Sequence, residues 1–250
     1  MATEILSRLL RSGGGSSASG TGEEEAIHVT RGPLLNALEA RRGPGLDAYR
    51  AAGGYGLAVR LAAEGGDALP FLAELARAGV RGRAGGGYPT AHKWFLVARK
   101  EAERKYFVCN ANARPGDLKV PYLLSRSPHA VLEAVAVGAL LAGAGTAFLA
   151  LPAGRADLAA PLGDALRQAV AAGLFGERAF GGERRLDLVL VELPDAYIAG
   201  EETALLEVIE GRPPRPRGKP PLPVTSGLFG APTVVSSLET VLQAWLALSV

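Results

Sequence analysis

The stretch from Arg81 to Trp94 reads RGRAGGGYPTAHKW and places four glycines in the six positions Gly82 to Gly87. Glycine lets a backbone approach a ligand closely, so its amides can serve a phosphate or flank a flat ring. Arg83 and Lys93 add positive charge suited to phosphate, and Tyr88 adds a stacking surface. The same composition also suits a plain surface turn. Spacing excludes two common phosphate loops. No Gly-Lys-Ser/Thr follows, and the glycines do not fit G-x-G-x-x-G behind a strand.

Three further groupings carry polar chemistry. In GEETALLEVIEGR, Glu201 and Glu202 open a predicted helix that Gly211 ends. Carboxylates there are favoured by the helix dipole, and one of them could instead accept a hydrogen bond from a ligand. In SSLET, Ser236 and Glu239 have capping-box spacing, while amides at a helix start can also hold phosphate. In CNAN, Asn110 and Asn112 follow a predicted strand, where they either close a turn or face a ligand. Cys109 is expected to pack rather than react, because nothing adjacent would lower its pKa. His28, His92 and His129 show no metal-ligand spacing, so no metal site is expected. The basic, proline-rich run 212–223 reads as a packed linker, or as a ligand for a polyproline-binding module.

The elements that must position these residues alternate. Strands are expected at 105–111, 146–152 and 185–194. Between them lie a helix with Ser127 as N-cap, Pro128 at its first position and Gly143 as its stop, and a second helix over 155–173 that Pro161 can split. LDAYRAAGGYGLAVRLAA and ALPFLAELARAGV have helical spacing upstream. Alternation of this kind predicts an α/β fold with a Rossmann-like parallel sheet. Ligands bind such sheets beyond the carboxyl ends of the strands, which puts CNANARPGD and YIAGEETAL on one edge. Residues 1–25 read as a flexible N-terminal helical extension with a Gly/Ser linker, and 26–250 as one domain ending in a C-terminal helix.

Composition bounds the rest. The 250 residues are 48% hydrophobic and 21% charged, ordinary for a globular chain. A net charge of +2 gives no case for nucleic acid. One cysteine excludes an internal disulfide and any multi-thiolate metal centre from this chain alone. MATEILSRLL carries Glu4 and Arg8 and makes a poor signal peptide. Residues 134–153 lack charge, but they are rich in Ala and Gly and contain Pro152. They read as helix, turn and strand rather than a membrane span.

In their order along the chain, GVRGRAGGGYPTAHKW, CNANARPGD and YIAGEETALLEVIEGRPPRPRGKPPLPVTSGLFGAPTVVSSLET resemble the flavin- and NADH-binding subunit of respiratory complex I, with relatives in NAD-linked hydrogenases and formate dehydrogenases. The resemblance runs from about Leu46 to the C-terminus. It implies an oxidoreductase module that binds FMN, takes electrons from NAD(P)H and passes them to a partner carrying an iron–sulfur cluster. Carried over by position, Gly82, Arg83, Gly85, Gly86, Gly87 and Lys93 would line the flavin and nucleotide site. Asn110 would meet the flavin's polar chain, with Asn112 beside it among the cofactor-binding residues. Gly200, Glu201 and Glu202 would face the isoalloxazine and the nicotinamide, and Lys219 would approach the nucleotide. Ser236 and Ser237 stand where the family has paired asparagines near the FMN phosphate. Tyr88 and Glu202 would position the nicotinamide.

The departures concern the nucleotide. Asn112 and Ala113 replace an Asp-Glu pair, Arg114 stands near a family acidic residue, and Ala84 replaces a glycine. Family phenylalanines become Tyr88, Leu96 and Leu222. The family's ubiquitin-like domain and four-cysteine [4Fe–4S] bundle have no counterpart in these 250 residues, so no cluster is expected in this chain. The implied location is cytoplasmic, at the inner face of the membrane within a complex. A different class of function competes: a degenerate relative that keeps the fold as a scaffold or assembly subunit and binds no nucleotide.

Overall fold

The computed structural model describes residues 32–42, 45–64, 67–83, 86–113 and 116–249. Residues 32–250 cluster as one compact unit; the expected N-terminal extension and linker lie outside the described residues, as do Ala84, Gly85 and Arg114.

Among the described residues four helices precede the glycine loop: α1 (Pro33–Ala40), α2 (Leu46–Ala51), α3 (Gly56–Ala63) and α4 (Leu69–Arg77). The helical spacing of LDAYRAAGGYGLAVRLAA is divided between α2 and α3. Gly53, at φ 80°, turns the chain between them. After the glycine loop comes α5 (Thr90–Ala98), then β1 (Tyr106–Asn110), α6 (Lys119–Arg126), α7 (Pro128–Ala142) and β2 (Thr146–Leu151). The chain continues through α8 (Ala156–Ala171), β3 (Asp187–Glu192), α9 (Glu202–Ile209), β4 (Thr233–Ser237) and α10 (Leu238–Leu248). The strands form one parallel sheet in the order β3-β2-β1-β4. The α/β architecture and the three expected strands are therefore present.

α7 is the central helix, and all of its residues after Pro128 are buried. Ser127 caps it by accepting from the Ala130 amide, and Gly143 ends it at φ 68°. At Gly138 an added Cβ would come within 2.3 Å of the Phe107 ring, so only glycine lets α7 sit this close to β1. Phe107 in turn packs edge-on against Trp94 of α5, at 5.4 Å between centroids. The uncharged run 134–153 divides into the end of α7, a turn and β2. Among the described residues no helix is long and apolar enough to cross a membrane.

Three expectations need correction. Pro161 does not split its helix: α8 runs through it. The proline is exposed, so the carbonyl it leaves unbonded can be hydrated. Leu158, Leu162, Ala165 and Ala169 meanwhile hold one continuous apolar face against the core. Ser236 is not an N-cap. It lies in β4 opposite Cys109, Ser237 takes the cap position, and Glu239 pairs with Lys119 at 2.6 Å instead of closing a capping box. The β-branched run Thr233-Val234-Val235 carries extended backbone one residue further than the serine pattern suggests. That run is also a fourth strand, where the sequence suggested three.

Candidate functional site

β1 and β4 lie side by side at the end of the sheet, and their last residues, Asn110 and Ser237, are in register. α9 and α10 begin at this carboxyl edge, and the glycine loop folds over it. Together they enclose a cavity of about 480 Å³. Sites for small molecules and cofactors span roughly 300–1,000 Å³.

The loop is closed like a short hairpin. The Gly82 amide donates to the Tyr88 carbonyl at 2.9 Å and the Thr90 amide to the Val80 carbonyl at 3.0 Å. Gly87 turns at φ 56°, a region open to glycine. Gly82 and Gly86 line the cavity, and a Cβ at Gly86 would meet no atom within 4 Å. Next to them, Thr90 is buried, and its hydroxyl has no hydrogen-bond partner. An unpaired buried hydroxyl is costly, and this one lies in the wall of the cavity.

Four charges form a chain along one wall. Lys93 Nζ lies 3.3 Å from Glu202, and Lys219 Nζ bridges Glu201 at 2.9 Å and Glu202 at 3.0 Å. Glu201 is the N-cap of α9, accepting from the Thr203 and Ala204 amides at 2.8 Å each. Burial alone would raise its pKa. Hydrogen bonds from Thr203, Ala204 and Lys219 outweigh that and bring it down to about 2. Burial also works against ionised Glu202, but Lys93 and Lys219 hold its pKa below the usual range. For Lys219, burial favours the neutral form, yet the two carboxylates raise its pKa.

Asn110 ties two elements together. Its Nδ2 donates to the Gly200 carbonyl at 2.9 Å, and its Oδ1 accepts from the Asn112 amide at 3.0 Å, closing the turn after β1. A Cβ on Gly200 would lie 2.8 Å from Asn112 Nδ2, so a glycine allows this close approach. On the floor, Ser236 Oγ accepts from Trp94 Nε1 at 3.1 Å, and Ser237 shares a 2.8 Å bond with Thr240. The basic run after α9 is packed, since Arg217 reaches Glu207, Glu210 and the Gly227 carbonyl. Lys219 is thereby delivered to the cavity from a fixed segment.

Most of the residues singled out from the sequence converge here. Gly82, Gly86, Gly87, Tyr88 and Lys93 line the cavity from the loop side. Asn110, Gly200, Glu201, Glu202, Lys219, Ser236 and Ser237 line it from the sheet edge and α9. Two do not line it. The Arg83 side chain lies against α10, near Gln243 at 3.4 Å and Glu239 at 3.9 Å, while its amide donates to Thr240. Asn112 sits behind Gly200. Gly85 lies outside the described residues. Leu96 and Leu222 do line the cavity.

Thr90, Val235 and Thr240 were missed. Thr240 had a signal in its place one helical turn after Ser237; Thr90 had none beyond following Tyr-Pro. Cys109 is fully buried, and burial pushes its thiol well above the ordinary range, as expected of a packing residue. Among the described residues no cluster of His, Cys, Asp and Glu could hold a metal ion.

A family model described as the Nuo51 FMN-binding domain matches residues 75–245. The mitochondrial NADH-ubiquinone oxidoreductase 51 kDa subunit of Neurospora crassa is 36% identical over 178 residues, covering 69% of this chain and 36% of that protein. NADP-reducing hydrogenase subunit HndC of Solidesulfovibrio fructosivorans is 37% identical over 166 residues, covering 66% of this chain and 34% of its own length. A chain in the crystal structure of an NAD⁺-reducing [NiFe]-hydrogenase in the air-oxidized state superposes with a TM-score of 0.70 at 32% identity, over 88% of this chain and 35% of that one. The present chain thus spans little more than a third of the length of these relatives.

Proposed function

The chain belongs to the Nuo51 FMN-binding domain family, and from that premise we propose that its cavity holds FMN in an NAD(P)H-oxidising module that passes electrons to an iron–sulfur partner. The observation that carries this reading is the unpartnered Thr90 hydroxyl in a glycine-walled cavity at the carboxyl edge of β1 and β4. The residues present fit such a group. Gly82, Gly86 and Gly87 leave room for a flat ring, while Asn110, Ser237 and Thr240 offer hydrogen bonds along its polar chain. Lys93 and Lys219, although paired with Glu201 and Glu202, keep ammonium hydrogens that can donate to a phosphate oxygen.

Bound FMN supplies a ring that accepts a hydride from reduced nicotinamide and releases electrons one at a time. The chain's own residues bind and orient. Glu201 stays ionised and keeps the start of α9 fixed beside the cavity. Glu202, held between two lysines, is an acceptor for an amide or hydroxyl of the nucleotide. Leu96 and Leu222 give one side of the site an apolar surface. The acceptor of the electrons is a separate redox subunit at the inner face of the membrane.

The same two leucines favour the rival reading, a scaffold without nucleotide, because they offer no ring face for stacking. Absorbance spectra of purified protein incubated with FMN and freed of excess ligand separate the two. Retained flavin that bleaches on adding NADH is the expected result. Retained flavin indifferent to NADH leaves FMN binding but removes NADH as donor. Colourless protein overturns the proposal in favour of the scaffold.

A further inference from the structure

Tyr88 is the one aromatic side chain among the described residues that line the cavity. It stands at the rim, 46% exposed. Its backbone is fixed by Gly87 behind it and by the bond from Gly82, but neither contact fixes its side-chain rotamer. That is done by His92, four residues on in the first turn of α5. The two rings stack with centroids 5.5 Å apart and planes 15° from parallel. The Tyr88 hydroxyl and His92 Nδ1 share a hydrogen bond of 2.8 Å. His92 does not itself line the cavity.

We propose that His92 is a positioning residue: it holds the Tyr88 ring as the single stacking platform for the planar part of a nucleotide at the rim. The inference rests on the nucleotide reading above. With Leu96 and Leu222 lacking a ring face, stacking affinity is concentrated on one side chain. An exposed tyrosine with no partner samples several rotamers and loses that freedom when a ligand arrives. His92 removes the loss in advance, by a two-point contact that takes one face of the ring and leaves the other clear of any described ring. The effect belongs to nucleotide binding and not to the flavin floor.

NADH binding is measured by its fluorescence on FMN-treated protein that has first been reduced under anaerobic conditions, so that the nucleotide is not consumed, and NADH oxidation with ferricyanide as acceptor, on wild type, His92→Leu, His92→Phe and Tyr88→Ala. His92→Leu is expected to weaken the NADH Kd and raise KM by about 3–10-fold, the range of one aromatic contact. kcat and FMN uptake should stay within about twofold. His92→Phe, which restores the stack, should recover most of the loss. In a Tyr88→Ala background, His92→Leu should have no further effect, because the two act as one unit. Equal NADH Kd in wild type and His92→Leu overturns the inference, as does an undiminished effect in the Tyr88→Ala background or a wild type that binds no NADH. Failure of FMN uptake by wild type instead counts against the proposed flavin site. The imidazole ¹⁵N shift of His92, which should move in Tyr88→Phe without any ligand, reports the contact independently.

Discussion

On the floor of the cavity Thr90, Ser236 and Thr240 are 2–7% exposed, whereas at its rim Tyr88 and Leu222 are 46% and 52% exposed. The floor residues come from β4 and the first turns of α5 and α10, and their neighbours are core residues such as Trp94 and Val235. Each floor group is fixed by packing before any ligand arrives. The rim is held by local contacts, the Tyr88–His92 stack and the Lys219 bridge to two carboxylates. A ligand deep in the cavity therefore meets a preorganised surface, while a second ligand over the rim meets side chains that few contacts hold. On the proposed reading, the flavin half of the site is built more tightly than the nucleotide half.

The sharpest way to break this comparison is to disturb the floor's edge. Gly200→Val drives a side chain into Asn112 and displaces the turn that Asn110 ties to β1. Overpacking of this kind costs about 1–3 kcal/mol, so FMN affinity should fall roughly ten- to a hundredfold in a fluorescence-quenching titration. Rim variants should not approach that loss. The opposite manipulation, Leu222→Phe, returns a ring to the rim. It should tighten NADH about 2–10-fold, the value of one aromatic pair, and leave FMN uptake unchanged.

Glu201 sharpens the comparison through pH. Its pKa in the folded chain, about 2, lies below the ordinary value of 4.5. A depressed carboxylate contributes stability that is fully present above its unfolded pKa and is lost as pH falls toward the folded one. Stability measured by urea denaturation should decline between about pH 4.5 and pH 2, and Glu201→Gln should flatten that part of the profile. The smallest effect belongs to Arg83. Its guanidinium lies on α10 beside Glu239, an exposed pair worth about 0–1 kcal/mol. Arg83→Ala should leave FMN affinity within about twofold.

How much of this was legible in the sequence follows from the physics of each element. α7 announced itself through Ser127, Pro128 and Gly143, because caps are local chemistry. The glycine loop, GEET and CNAN announced polar chemistry for the same reason, and the α/β alternation placed them on one edge. β4 was missed because five residues between a proline-rich run and a helix carry too little pattern to separate strand from cap. Pro161 misled because continuity of α8 is set by burial of its far face. The orphaned Thr90 hydroxyl could not be read at all, since only the tertiary fold removes its partners. Arg83 drew attention by charge and type, yet the side chain turns to α10, a choice made by neighbours distant in sequence.

The central claim, a preformed floor for FMN, is tested most directly by titrating FMN into the purified chain alongside Thr90→Val. The variant is nearly isosteric and removes the unpaired hydroxyl. The account predicts one FMN per wild-type chain and affinity about five- to twentyfold weaker in Thr90→Val, the worth of one hydrogen bond to a ligand. The variant should be at least as stable to urea as wild type. Equal FMN affinity in the two proteins, or no saturable FMN binding by wild type, contradicts it.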